Sequence, residues 1–240
     1  MSNKKIYYEY DFSTETSVGI EYEKYLCQCQ SKYQKIEVLK TKYYGNAMYL
    51  DGCFMLSEKN QNYYHEECIK LVPKKAKKIL IIGGGDCGIA KLILNKLLVN
   101  KIDVVEIDKQ VVDVSKKYFS NNFNYKKGEK KKINIIIEDG YEFLKTSQEK
   151  YNCIIIDSTD PVHQAKVLFS KRFLQKCYMS LTKMGVIIQQ SGSPLKDTKN
   201  IIKPLKSKYK DLGFINNNVV SFSMPLYPTG TWSFMSAKRA

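Results

Sequence analysis

The sequence predicts an α/β protein: a doubly wound, seven-stranded and mostly parallel sheet preceded by a small antiparallel β domain. Three observations carry that expectation. From residue 77 onward short apolar runs alternate with helical periodicity, and a glycine-rich turn joins the first run to the first helix. Residues 1–60 instead carry short β-branched and aromatic runs broken by turn signals. The division therefore falls into a β-strand domain, residues 1–60, and a catalytic-type domain, residues 61–240.

In the first part, residues 33–39 and 47–50 read as strands, with turns at Tyr44-Gly45-Asn46 and Asp51-Gly52. Tyr63, Tyr64 and Glu66 stand at a helix start. Residues 78–82, 102–107, 133–137, 151–156 and 186–189 are apolar enough to be strands covered on both faces, as a parallel sheet requires. Between them Ile89, Leu92, Ile93 and Leu97 share one helical face, and Val111, Val114, Ser115 and Tyr118 or Phe119 share another. Residues 216–222 and 231–236 flank Tyr227-Pro228-Thr229-Gly230 and predict an antiparallel pair closing one sheet edge. The Asn- and Lys-rich stretch 121–132 reads as a solvated loop.

The chain has 240 residues, enough for a substantial core, and a formal charge of +15 from 39 basic and 24 acidic side chains. That charge raises a nucleic-acid reading, but only Arg172 and Arg239 are arginines, and arginine's planar fork is what base and phosphate readout usually uses. Nucleic acid is not the expected partner. Seven cysteines without a CxxC pair predict free thiols in a reducing cytoplasm. No apolar run approaches the ~20 residues that span a bilayer, so no membrane partner is expected.

The chemistry lies at the carboxyl ends of the predicted strands, where open α/β sheets bind ligands. Gly83, Gly85 and Gly88 satisfy G-x-G-x-x-G between a strand and a helix, and Glu106 ends the next strand, where a carboxylate can accept hydrogen bonds from a ribose. The competing reading is a turn that needs glycine only for packing. Asp86, inside the glycine loop, would repel a pyrophosphate; it is either a helix cap or a site for a ligand amine. Asp139, before Gly140, is either a turn residue or an acceptor for an adenine amine. Asp157 and Asp160, in DSTDPV, place two carboxylates at one strand end and fit a cationic substrate. His65 and His163 are the only histidines; neither is assigned a proton-transfer role, and no metal-ligand spacing is visible.

Together these residues resemble the polyamine aminopropyltransferases, the spermidine synthase family. The resemblance runs from about residue 15 to the end on YQKIEV (33–38), YLDG (49–52), YYHEE (63–67), GGGDCG (83–88), VVEID (104–108), EDGYEFL (138–144), DSTDPV (157–162) and PLYPTG (225–230). It implies an amino-terminal β domain followed by a Rossmann-like (methyltransferase-type) domain. The implied reaction moves the aminopropyl group of decarboxylated S-adenosylmethionine, a co-substrate and not a resident cofactor, to putrescine or a related diamine, with no metal. It further implies that Gln34, Glu106, Asp139 and Gly140 contact the adenosine portion and that Asp86 holds the aminopropyl amine. Tyr64, His65, Asp157, Asp160 and Tyr227 would line the diamine site, Asp157 being the proton acceptor, in a homodimer.

Four positions depart from the family pattern: His163-Gln164 where Gly-Pro is usual, Leu226 where a small polar residue is common, Leu195-Lys196-Asp197 where aromatic or His contacts are frequent, and the end at Ala240, past which relatives often continue. Three other readings remain open at this point. They are a methyltransferase using intact S-adenosylmethionine, a nicotinamide-dependent dehydrogenase, and a catalytically inactive polyamine-binding relative.

Overall fold

The computed structural model describes residues 4–161 and 163–240. Val162 and the side chains of His163 and Gln164 lie outside the described residues, and with them the departure noted at His163-Gln164.

The chain begins with a hairpin of β1 (Lys5–Asp11) and β2 (Thr16–Tyr22), then a four-stranded antiparallel meander of β3 (Lys24–Gln30), β4 (Lys35–Thr41), β5 (Gly45–Leu50) and β6 (Cys53–Ser57). The Asp51-Gly52 turn joins paired residues Leu50 and Cys53, and its φ angles of 48° and 83° are those of the two-residue turn that matches strand twist. β1, β2 and β3 were not foreseen. In β1 the usual polarity is inverted: Glu9 and Asp11 are buried while Ile6, Tyr8 and Tyr10 are exposed, so hydrophobic alternation points the wrong way.

After α1 (Gln61–Leu71) the doubly wound part runs β7 (Lys78–Gly83), α2 (Gly88–Lys96), β8 (Lys101–Glu106), α3 (Lys109–Tyr118), β9 (Ile133–Ile137), α4 (Gly140–Thr146), β10 (Tyr151–Asp157), α5 (Lys171–Ser180), β11 (Leu181–Gln190), α6 (Lys203–Asp211), β12 (Phe214–Ser223) and β13 (Thr231–Arg239). Seven strands form one sheet in the order β12-β13-β11-β10-β7-β8-β9, parallel from β11 through β9 and antiparallel at β13 and β12. This is the predicted sheet. β11 starts five residues before its predicted apolar run because Thr182 and Lys183 hide the periodicity, and a left-handed Met184 (φ 60°) kinks it.

Period-2 alternation decides which helices cover which face. Ile79 and Ile81 of β7 point into one core with Cys68 and Ile69 of α1 and Ile89 and Ile93 of α2. Leu80 and Ile82 point into the other with Leu144 of α4, Phe173 and Leu174 of α5, and Tyr209 of α6. Val111 of α3 packs on Ile36, Val38 and Met48, which ties the meander to the larger sheet. The stretch 121–132 is less solvated than predicted. Asn122 is buried, donating from Nδ2 to Gln61 Oε1 (2.9 Å), and Phe123 and Tyr125 pack on the first core, leaving mainly lysines in water.

Strand order runs outward from β7 to β8 and β9 on one side and resumes at β10 on the other. The crevice of an open α/β sheet forms at such a switch point, here at the carboxyl ends of β7 and β10.

Candidate active site

A cavity of about 820 Å³ opens at that point, lined by all three sheets from Glu9 in β1 to Trp232 in β13. Every residue assigned from the sequence to the adenosine or diamine site lines it: Gln34, Tyr64, His65, Asp86, Glu106, Asp139, Gly140, Asp157, Asp160 and Tyr227. Of the glycine loop, Gly83 and Gly85 line it and Gly88 stands behind it.

The glycines are required by contact as well as conformation. Gly83 has φ 83°, and any side chain there would collide with the Asp157 carbonyl, which accepts instead from Gly84 N–H (3.0 Å). A Cβ on Gly85 would sit 2.9 Å from Glu106 Cγ. Gly88 lies against the His65 ring, so it serves helix packing rather than a phosphate.

At the adenosine end, Glu106 Oε1 accepts from Asp108 N–H (2.9 Å). Burial pushes the Glu106 carboxyl up to about 7, the Asp108 and Gly85 amides opposing and the Asp108 and Asp157 charges adding to the rise. Gln34 donates from Nε2 to Asp108 Oδ2 (3.0 Å), and Ser31 Oγ donates to the same oxygen (2.6 Å). Asp108, which sequence reasoning passed over, thus fixes both Gln34 and α3, whose amino end it caps through Gln110 N–H (3.0 Å). Asp139 caps α4, with Tyr141 and Glu142 N–H both on Oδ1 (2.7 and 3.1 Å). Gly140 packs against Ile82, with no room for a side chain.

At the amine end, Tyr64 donates its hydroxyl to Asp157 Oδ1 (2.7 Å). Burial pushes Asp157 up to about 6, the Asp86 charge adding to it while Tyr64 and His65 oppose. Asp86 takes the capping role of its two sequence readings. Its Oδ1 accepts from Gly88 N–H (3.0 Å) at the start of α2, and its Oδ2 lies 3.4 Å from His65 Nε2. Burial lowers the His65 imidazole, but Asp86 and Asp157 outweigh it and the ring is raised above its ordinary value. Asp160 Oδ1 is buried with no hydrogen-bond partner among the described residues. Burial, helped by Asp197 and opposed by Lys196 and Gln190, pushes Asp160 up to about 6. The Tyr227 hydroxyl donates to the Met55 carbonyl (3.2 Å), tying the β13 side of the cavity to the meander.

Glu9, Asp11, Lys196 and Asp197 also line the cavity and were not among the sequence candidates. The departure at Leu195-Lys196-Asp197 was the one visible signal for two of them. Among the described residues, no group of three or more His, Cys, Asp or Glu side chains is placed to hold a metal ion, and no helix is long and apolar enough to cross a membrane.

A doubly wound sheet with a glycine turn, a buried carboxylate at the next strand end and paired carboxylates at its switch point defines a Rossmann-like, methyltransferase-type domain. Residues 61–240 match the spermine/spermidine synthase domain and residues 9–58 the spermidine synthase tetramerisation domain. The chain belongs to the spermine/spermidine synthase family. It is 34% identical to the polyamine aminopropyltransferase of Alkaliphilus metalliredigens over 241 residues, covering 98% of this chain and 84% of the relative. It is 32% identical to that of Xanthomonas campestris pv. campestris, covering 100% and 85%. A crystal structure of spermidine synthase with the transition-state analogue AdoDATO superposes with a TM-score of 0.87 at 29% identity, covering 100% of this chain and 82% of that one. Spermidine synthase from Thermotoga maritima gives 0.85 at 29% identity, covering 99% and 80%.

Proposed function

We propose that this protein is a polyamine aminopropyltransferase that transfers the aminopropyl group of decarboxylated S-adenosylmethionine to putrescine, giving spermidine and methylthioadenosine. The observation that carries this reading is one cavity holding a half-buried carboxylate pair, Asp157 and Asp160, beyond a glycine turn and Glu106. Glu106 receives the ribose hydroxyls, while Gln34, Asp139 and Gly140 border the adenosine. Asp86 holds the amine of the aminopropyl arm, which intact S-adenosylmethionine would approach with a repelled carboxylate beside it. Tyr64, His65, Asp160 and Tyr227 border the diamine.

The reaction is one in-line displacement. The lone pair of the acceptor nitrogen forms the new N–C bond, the C–S pair returns to sulfur to leave neutral methylthioadenosine, and the surplus proton passes from nitrogen to Asp157. An alkyl amine with pKa ~10.4 is held neutral at pH 7 at a cost of about 4.6 kcal/mol. The neighbouring sulfonium disfavours a second cation, which offsets part of that cost. Asp157 opposes it as a charge and helps as a base, so its placement by Tyr64 matters more than its charge.

The boundary near residue 60, a cytoplasmic setting and a homodimer belong to the same reading. The exposed Tyr10 and Phe12 of the segment matching the tetramerisation domain, with Tyr8 just before it, are the surface a second copy would cover. The deciding experiment offers putrescine with either decarboxylated or intact S-adenosylmethionine. Equal amounts of spermidine and methylthioadenosine from the decarboxylated compound are expected. S-adenosylhomocysteine from the intact one, without methylthioadenosine from the other, would replace this reading with a methyltransferase.

A further inference from the structure

The far end of the cavity holds a cation that belongs to the protein. Lys196 Nζ lies 2.7 Å from Asp11 Oδ2, with only 15% and 5% of the two side chains exposed. Around this pair stand Glu9, Asp160 and Asp197, so the lobe carries four carboxylates and one ammonium. The carboxylates divide into two groups. Asp11 is committed: burial raises it, but Lys196 and the Ser13 hydroxyl and amide outweigh burial and bring it down to about 2. Asp197 bonds Ser193 N–H (2.8 Å), a neighbour of Lys196 in the same loop.

Among the described residues neither Glu9 nor Asp160 forms an ion pair of its own. Burial pushes them up to about 7 and about 6, Lys196 only partly countering it. Asp160 Oδ1 is a buried oxygen without a hydrogen-bond partner among the described residues, and the Glu9 carboxylate accepts from Phe54 N–H at Oε2 (2.9 Å). A ligand ammonium is thus wanted at Glu9 and Asp160, while the place beyond them is already filled. A desolvated ammonium without a carboxylate partner is costly to bury, and two ammoniums sharing one carboxylate repel.

Resting on the aminopropyl-transfer reading, we propose that the Lys196 ammonium permanently occupies the place a third ammonium would need, so that this site takes short diamines and rejects triamines such as spermidine. Lys196 is then a specificity-determining residue that leaves the reacting atoms untouched. A purely structural role, tying β1 to the 193–197 loop, would lower all acceptors alike; the occupancy role changes their ratio.

The test compares kcat/KM for 1,3-diaminopropane, putrescine and spermidine in the wild type, Lys196→Gln, Lys196→Arg and the double variant Asp11→Asn/Lys196→Gln, which removes both charges so that no buried carboxylate is stranded. The wild type is expected to prefer putrescine over spermidine strongly. Lys196→Gln and the double variant should lower that preference at least tenfold, chiefly through the KM for spermidine, and Lys196→Arg should retain it. Calorimetric titration of spermidine into each protein saturated with methylthioadenosine gives a second readout that needs no turnover, with spermidine binding expected only when the Lys196 charge is gone. An unchanged preference, or spermidine binding the wild type as tightly as the variants, overturns the proposal. Absence of turnover by the wild type with every amine overturns the aminopropyl-transfer reading instead, and the titration still judges Lys196.

Discussion

Two carboxyls held above their ordinary values make the site sensitive to pH in separable ways. Asp157 is pushed from 3.8 to about 6. Its ionisation therefore opposes folding above pH 6 and is neutral below the ordinary value. Asp157→Asn keeps an acceptor for Tyr64 and should lower kcat at least roughly 10²-fold, the lower range for lost general-base help. The same variant should unfold at higher denaturant at pH 7.5, gaining roughly 1–3 kcal/mol, with the gain fading to nothing as pH falls through 6 toward 4. Denaturant midpoints at several pH values check this, and a destabilised variant would refute the assigned burial cost. Glu106 is raised to about 7, and in the proposed ribose role it would accept hydrogen bonds as a carboxylate. Methylthioadenosine should bind about tenfold more weakly at pH 6 than at pH 8, as single-proton linkage requires, and Glu106→Gln should flatten the curve. These residues were readable in the sequence because strand-end carboxylates follow apolar runs. Glu9 and Asp11 were not, because a carboxylate alternating with tyrosines on a first strand looks like a solvent-facing one.

At the scale of elements, the site depends on how closely β7 approaches β10. Asp157 and Gly83 are register partners, and the Asp157 carbonyl bonds Gly84 N–H at 3.0 Å. Gly83→Ala combines a left-handed φ, itself worth about 1–3 kcal/mol, with a collision against that carbonyl. The variant should lose more than about 2 kcal/mol of stability in urea melts and lose activity beyond what unfolding explains, because Asp157 moves with the strand. An active, equally stable variant would mean the turn has slack the structure does not show. The parallel strands were legible because burial on both faces demands unbroken Ile and Val runs. β11 was legible only in its second half, where the polar Thr182-Lys183 and the kink at Met184 give way to apolar residues.

At the scale of the molecule, the proposed substrate is a cation and the chain itself carries a charge of +15. The Debye length is about 8 Å at physiological salt, so scattered surface lysines are screened in bulk while buried pocket carboxylates are screened much less. Raising ionic strength from about 0.02 to about 0.2 M should therefore increase kcat/KM for putrescine at sub-saturating amine. A monotonic fall would mean that the acidic lobe, not the net charge, governs encounter. Composition alone pointed toward nucleic acid; the two-arginine count and the placement of carboxylates, properties of kind and position, pointed away.

The inverted strand β1 gives assembly and chemistry a common support. Tyr8 and Tyr10 are exposed, Glu9 and Asp11 are buried at the amine lobe, and a two-stranded hairpin with apolar side chains in water is marginal by itself. Slipping β1 by one residue would put tyrosines into the lobe and carboxylates on the outside. A covering subunit would thus act as a clamp on the hairpin's register, and substrate recognition would inherit the concentration dependence of assembly. On dilution toward monomer, the KM for putrescine should climb while methylthioadenosine affinity, built on Glu106 and Asp139 away from the hairpin, holds steady; parallel weakening of both would break that link.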